Sequence, residues 1–548
     1  MTPPAHSAPR PEFDVLRREV AYREDASALF AHLGGTRATD SVLLESADVT
    51  THSGITSVMV LRAALRVTCE NDEVSAHVLT PTGQAMLRRL DSQIGEYRVP
   101  ELSVEGHSVY RFPASEAIDE RDRLKAVSTM EPLRRLQRDS GVREDPGAQG
   151  AAGALPFLAG GWAYDYLGTF EELPEVGASA NTYPDYQFIA AEILLEINHE
   201  EHRAELSALC QPEDRARLEA ELEELARSIA DSPEEAAPTG APAQATDPEA
   251  EPLQVRATIS DEEFCSIVRD LQNDIEQGEI YQVVPARAFL SPCPDAFAAY
   301  RQLRATNPSP YMFYVRGTCT PEGERPYELF GASPESNVKY TAANREIQIY
   351  PVAGTRPRGL NPDGSVNHEL DIRAELDMRT DAKELAEHVM LVDLARNDLA
   401  RVAVPATRKV VDLLHVDRYS RVMHLVSRVV ATLAEDCDAL DAYRACMNMG
   451  TLTGAPKLRA TELIRGVEKE RRGSYGGAIG YLRGTGDMDT CIVIRSAFVQ
   501  DGQAIVQAGA GVVRDSRPQS EADETLHKAY TVLNSLALAA HRPLEVIR

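Results

Sequence analysis

The amino-acid sequence predicts an α+β protein of two lobes in which antiparallel sheets pack against helices. Three observations carry this reading. The second half alternates β-branched runs (YMFYV, VKY, IQIYPV, TCIVIRSAFV, AIVQAGAGVV) with long helical segments, without the regular strand-helix beat of a parallel barrel and without an internal repeat. The first half mixes short alternating strands such as ALRVTCE with helices. Between them, SPEEAAPTGAPAQATDPEAEP, from Ser232 to Pro252, is rich in Pro, Ala and acids and lacks aromatics, which reads as a disordered linker. The expected division is an N-terminal domain over 1–231, a linker over 232–255 and a second domain over 256–548. A smaller break, GVREDPGAQGAAGALP, lies near residue 150.

The elements flanking the linker are explicit. Leu218, Leu222, Leu225 and Ile229 recur at helical spacing before it. After it, Ser260 and Glu263 form a capping box, Phe264, Ile267, Leu271 and Ile275 make an apolar stripe, and Gly278 supplies the stop. A strand from Ile280 to Val284 follows.

Composition limits the function. With 548 residues, 43% hydrophobic and 26% charged, the chain can bury a sizeable core, and its net charge of −28 repels nucleic acid and anionic membranes. An anionic substrate would need local positive contacts. Eight cysteines without a Cys-x-x-Cys, and an N-terminus without the order of a signal peptide, point to a reducing cytoplasm. No apolar run approaches the length of about 20 residues that spans a bilayer.

Two helical-looking segments each carry a Glu-x-x-Glu pair: Glu384 and Glu387 in DAKELAEHVMLVDLARND, and Glu521 and Glu524 in SEADETLHKAYTVL. Residues three apart share a helix face, so two such helices could turn four carboxylates to one point. Magnesium would relieve their repulsion, because it takes oxygen ligands and leaves positions for an anionic substrate. The plainer alternative is two solvated helix faces.

Other positions could build the same site. Gln282 shares a strand face with Ile280 and Val284, so its amide either satisfies nearby backbone or lines a pocket. The turn PVAGTRPRG offers Gly354, Thr355, Arg356 and Arg358 to a ligand oxygen. Gly509, Ala510 and Gly511 follow a strand and could bind a carboxylate through backbone donors, or form a plain tight turn. Arg495 interrupts CIVIRSAF, where an unpaired buried cation is costly, so a carboxylate of protein or substrate should meet it. Lys528, four residues after Glu524, could form a surface ion pair worth roughly 0.3–0.5 kcal/mol. His424, in SRVMHLVSRVV, is either a core histidine or the best general acid/base candidate of this half.

In order, GEIYQVVPAR, PSPYMFYV, GASPES, PVAGTRPRG, ELAEHVMLVDLARNDLARV, GTLTGAPK, RRGSYGGAIGY, DTCIVIRSA, QAGAGVV and EADETLHKA cover nearly all of residues 260 to 540 and resemble the chorismate-utilising enzymes. LLESAD (Leu43 to Asp48) and PYM (Pro310 to Met312) also resemble the tryptophan-binding segments of the anthranilate-forming branch. The resemblance implies an antiparallel α+β fold and a reaction in which ammonia adds at ring carbon 2 of chorismate, the hydroxyl at carbon 4 leaves near Thr451, and pyruvate is eliminated with help from His424. It implies magnesium on Glu387 and Glu524 with Glu521 nearby, and Glu384 grouped with the catalytic residues. Gly354, Thr355, Tyr475, Arg495, Gly509, Ala510, Gly511 and Lys528 would hold the substrate. Glu45, Ser46, Pro310, Tyr311 and Met312 would bind tryptophan as a feedback inhibitor.

Two positions bear on which reaction is run. Water-adding members of the family carry a lysine base where this chain has Gln282, and aminodeoxychorismate synthases carry a nucleophilic lysine where it has Ala353. Both differences favour direct ammonia addition. No cysteine sits in a glycine-rich nucleophile turn, so ammonia must come from elsewhere; the family resemblance implies a separate glutaminase subunit that supplies it, in an assembly of two of each subunit. An enzyme that releases 2-amino-2-deoxyisochorismate, and a non-catalytic tryptophan-binding homologue, are the alternatives.

Overall fold

The computed structural model describes residues 12–48, 53–143, 155–233, 247, 249–319, 324–361, 365–418 and 422–548. Twenty-two strands of the described residues join in one hydrogen-bonded sheet system. Its strand pairs are antiparallel, apart from Leu544–Ile547, which runs parallel to Leu253–Ala257. The mixture of antiparallel sheet and covering helices is the α+β arrangement the sequence predicts.

The sheet crosses between the two halves of the chain. Ser41–Asp48 pairs with Tyr311–Cys319, setting Glu45 opposite Met312, and Phe157–Trp162 pairs with Ala478–Arg483, setting Gly160 opposite Gly480. Trp162 stacks on Tyr443 with ring centroids 4.0 Å apart, so the core too is built from both halves. Most of the stretch read as a linker, residues 234–246 and 248, lies outside the described residues, as does 144–154 of the smaller break. The last three linker positions, from Leu253, belong to a paired strand.

Local signals act largely as read. Leu218, Leu222 and Ile229 are buried along the helix Arg215–Asp231. Ser260 caps Asp261–Glu276 by accepting from the Glu263 N–H at 3.2 Å, the forward half of the expected capping box, and Gly278 ends it with φ +83°. The strand expected from Ile280 to Val284 shrinks to Gln282–Val283, paired with Gly454–Ala455. The flanking N–H groups explain why: Tyr281 donates to Ala455, Val283 to Val512 and Val284 to Thr453, so the segment threads between two loops instead of joining the large sheet. The run TCIVIRSAFV is likewise two strands, Met488–Ile492 and Ser496–Gln500, broken where Arg495 takes φ +50°.

Two helices cover the sheet where the candidate residues lie. Ala382–Ala400 packs on Val352–Pro357 and Val422–Thr432, while Pro518–Ala539 packs on Gln503–Gly509. Among the described residues, no helix is long and apolar enough to cross a membrane.

Candidate active site

The loop Gly509–Gly511 is the meeting point of the site. From one side comes the helix Pro518–Ala539: Lys528 Nζ donates to the Gly509 carbonyl at 3.0 Å and pairs with Glu524 Oε1 at 2.6 Å. The pair expected on a free surface therefore also anchors the loop. Tyr475 and Pro285 close in on Gly509, where a β-carbon would stand 2.8 Å from the Pro285 carbonyl and 3.2 Å from the Tyr475 hydroxyl. Only glycine fits there. On the other side, a β-carbon at Gly511 would lie 3.3 Å from Gln282 Nε2 and 3.7 Å from Glu387 Oε1. The loop thus brings together Glu387 and Gln282 with Tyr475, Lys528 and Glu524, from four distant stretches of sequence.

One expectation for this loop changes. The Ala510 N–H donates to the Pro285 carbonyl at 3.2 Å, which removes it from the donors a carboxylate could use. Arg495 supplies positive charge instead. Its guanidinium donates to the Lys528 carbonyl, and among the described residues no carboxylate stands within ion-pair distance of it. The carboxylate expected for Arg495 is then available to come from a substrate.

Gln282 is 1% exposed, and among the described residues neither atom of its amide has a hydrogen-bond partner. Of the two readings open for it, satisfaction of nearby backbone is excluded. Tyr281 beside it is 75% exposed, so the amide faces inward by strand alternation.

A second group gathers around Gly354. The register of Val352–Pro357 against Val422–Thr432 shifts between Ala353 and Thr355, and Gly354 fills this bulge with φ +79°. The Thr355 backbone pairs with His424; the Thr355 side chain lies outside the described residues. Burial and the nearby Arg495 guanidinium push the His424 imidazole down to about 4, so it is a neutral base at pH 7. A β-carbon at Gly354 would strike Glu384 Oε2 at 2.5 Å. The arginines of the turn serve the protein: Arg356 pairs with Glu384 and Asp381, and Arg358 Nε donates to Asp371 at 2.7 Å.

These pairings revise the four-carboxylate picture. Glu384 is neutralised by Arg356 and Glu524 by Lys528, which removes much of the repulsion a metal was expected to relieve. Among the described residues no three His, Cys, Asp or Glu side chains gather as ligands. Glu521 is buried at the start of its helix. The donor set at the glycine loop still fits magnesium: all-oxygen, with Glu387 on one side and Glu524 on the other, and this ion takes one or two carboxylates and fills its remaining positions with water and substrate.

Sequence reasoning missed Glu335. It lies in GASPES, in the turn between Arg325–Ser333 and Ser336–Thr341, and accepts from Thr451 Oγ1 at 3.0 Å. Burial raises its carboxyl to about 8, against smaller opposing pulls from the Thr451 hydroxyl and Lys528. It is therefore a protonated acid at neutral pH, and displaced titration of this kind concentrates at functional sites. The available signal was a single carboxylate in a run of small residues.

The LLESAD and PYM segments meet elsewhere. Glu45, Ser46, Pro310, Tyr311 and Met312 all line one cavity of about 740 Å³. Within it Glu45 is held by Arg304 Nε at 3.1 Å and by the Tyr300 hydroxyl, and Ser46 Oγ by Thr56 Oγ1 at 2.8 Å.

Residues 95–534 match the family model of chorismate binding enzymes. The chain is 48% identical to anthranilate synthase component 1 of Vibrio cholerae over 97% of this chain and 98% of the relative, and 49% identical to that of Escherichia coli K12 with the same coverage. Among solved structures it is similar to anthranilate synthase component I of Streptococcus pneumoniae, with TM-score 0.63, 28% identity and coverage of 87% of this chain and 92% of the other. The menaquinone-specific isochorismate synthase of Escherichia coli, 17% identical with TM-score 0.61 over 97% and 96% of the two chains, shares the fold. This chain belongs to the chorismate binding enzyme family, among the anthranilate synthase component 1 proteins.

Proposed function

We propose that the chain is the large component of an anthranilate synthase, converting chorismate and ammonia to anthranilate, pyruvate and water. The observation that supports this most is an acid and a base set beside two linked cations, Lys528 near Glu335 and Arg495 near His424, with the Arg495 guanidinium donating to the Lys528 carbonyl. Glu335 holds a proton beside Thr451 and near Lys528, and His424 is proton-free near Arg495. As ammonia adds at carbon 2, Glu335 gives its proton to the departing carbon 4 hydroxyl, with Thr451 orienting the carboxyl. His424 then takes the carbon 2 proton, the bond from carbon 3 to the enolpyruvyl oxygen breaks, and the ring becomes aromatic. The released enolpyruvate gains a proton to become pyruvate.

The remaining residues bind and orient. Arg495 and Lys528 meet substrate carboxylates, while Gly354 and Gly511 let the backbone approach the ring. Gln282 is uncharged and cannot act as a general base for water, which leaves ammonia as the nucleophile. Magnesium bound through Glu387 and Glu524 would neutralise and polarise the ring carboxylate of chorismate.

The same reading assigns ammonia supply to a glutaminase subunit, in an assembly with two of each chain, and a place in tryptophan biosynthesis under feedback by tryptophan at the cavity of Ser46 and Met312. Eight free, buried cysteines suit a reducing cytoplasm. Mixing purified chain with chorismate, magnesium and ammonium tests the reaction. Anthranilate and pyruvate in equal amounts are expected, and a product that keeps the enolpyruvyl group, or no product, would overturn it.

A further inference from the structure

We propose that His388 is a positioning residue for this reaction, fixing the helix that carries Glu384 and Glu387 against the bulged strands that carry Gly354, Thr355 and His424. The inference rests on the reaction proposed above.

The geometry centres on one buried pair. His388 is fully buried, and its Nε2 lies 2.6 Å from Ser427 Oγ, itself 1% exposed. Ser427 belongs to Val422–Thr432, the strand of His424. Its hydroxyl oxygen also accepts the Leu414 N–H at 3.0 Å. Leu414, with φ +57°, sits where Lys409–Arg418 slips register against the same strand, between Asp412 and His415. The Ser427 N–H donates to the Pro351 carbonyl at 3.0 Å, just before the bulge at Gly354. One hydroxyl and one imidazole therefore join a helix to the central strand of two irregular pairings.

Bulges re-aim side chains beside active sites, but the extra residue leaves the local ladder interrupted. A fixed partner is needed to hold it. His388 lies four residues after Glu384, on the same helix face, and directly after Glu387, about 100° around the helix. A helix pinned at His388 thus turns Glu384 to Gly354 and Glu387 to the Gly509–Gly511 loop, which is the arrangement observed. An apolar side chain would fill the buried space without setting this rotation. Imidazole does both.

The test compares His388→Leu, His388→Gln, Ser427→Ala and the His388→Leu/Ser427→Ala double variant, with ammonium as nucleophile. The KM for chorismate should rise about 10- to 100-fold in His388→Leu, with a smaller change in kcat. Chorismate affinity by equilibrium dialysis, without ammonium, should weaken in parallel. The Gln variant keeps a polar nitrogen where Nε2 stood and should recover most of the affinity. The double variant should be no worse than the poorer single one, because both remove the same bond. Wild-type affinity in His388→Leu, no recovery in His388→Gln, or fully additive losses would overturn the proposal. If His388→Leu does not fold, Ser427→Ala decides by the same dialysis, with unchanged affinity the overturning result. A wild-type chain that binds chorismate without turning it over would strike the proposed reaction and leave the dialysis comparison to judge His388.

Discussion

The candidate active site and the cavity of the LLES and PYM strands answer the burial of polar groups in opposite ways. At the centre, polar groups are buried and left in want: among the described residues the Gln282 amide and Glu384 Oε2 have no partner, and Glu335 and His424 are held far from their ordinary titration ranges. In the cavity, Glu45 is shared between Arg304 and Tyr300, and Ser46 is bonded to Thr56. An unsatisfied buried group costs about 1–3 kcal/mol, so a centre that tolerates several is holding them for a ligand or a reaction. A satisfied cavity can be filled or left empty at little internal cost. The first region should therefore fail sharply when altered, and the second should lose only its response to a ligand.

The largest effect belongs to Glu335. Glu335→Gln keeps the shape and removes the proton donor, so kcat should fall by about 10²–10⁴-fold. In the wild type kcat should also decline as pH rises through about 8, where the acid form is lost. Stability changes in the same direction. The carboxyl is raised in the folded protein, so the stability linked to its proton is complete below about 4.5 and is lost as pH climbs through about 8. Glu335→Gln should escape this loss, and chemical denaturation at pH 6 and pH 9 checks it. An unchanged alkaline limb of kcat in wild type would remove Glu335 from the acid role.

Next come Glu387 and Glu524, which sharpen the contrast inside the centre. Both Gln variants should lose activity by roughly two orders of magnitude or more if they anchor magnesium, since outer-shell changes alone cost 10–100-fold. Their stabilities without metal should differ in kind from the activity loss. Glu524→Gln breaks an exposed pair with Lys528 worth roughly 0.3–0.5 kcal/mol, so its thermal midpoint should barely move. Titrating magnesium by calorimetry into each variant gives the direct readout, and wild-type affinity in both would sink the assignment.

His424 offers a qualitative test. His424→Met should still consume chorismate but release the aminated, non-aromatic intermediate, visible by mass. Undiminished anthranilate output would refute a role in elimination.

How far these regions were legible from the sequence follows the same divide. Helices and strands depend on local pattern, whereas LLES and PYM were associated only through the family resemblance, and the fold shows that they pair, with Glu45 opposite Met312. The glycine loop was legible as a loop following a strand, and its place in the site came from the family resemblance; only the fold shows that Tyr475 and Pro285 crowd Gly509 and demand glycine there. Glu335 was not, since its displaced carboxyl comes from burial that only the packed turn creates. The pairing of Arg356 with Glu384 was hidden for a related reason: the arginine lies on a bulged strand and the glutamate on a helix, so no spacing rule joins them. Gln282 was read correctly as inward-facing, yet only the fold shows that no backbone group satisfies it.

The smallest catalytic effect is expected at Ser46, and it tests the cavity itself. A Phe ring at Ser46 projects into the space bounded by the LLES and PYM strands and displaces the volume tryptophan would occupy. The lost bond to Thr56 is replaced by solvent or by ring contacts, so the sheet should persist. Because the two strands come from opposite halves of the chain, a ligand between them can bias how those halves sit, and coupling of roughly 1–3 kcal/mol would weaken chorismate binding about 5–150-fold in wild type. Reciprocity requires chorismate to weaken tryptophan binding by the same factor. Titrating tryptophan against initial rates should give inhibition in wild type and none in Ser46→Phe, at nearly equal uninhibited rates. If wild type ignores millimolar tryptophan, the cavity is only a gap between strands, and the contrast with the candidate active site rests on chemistry alone.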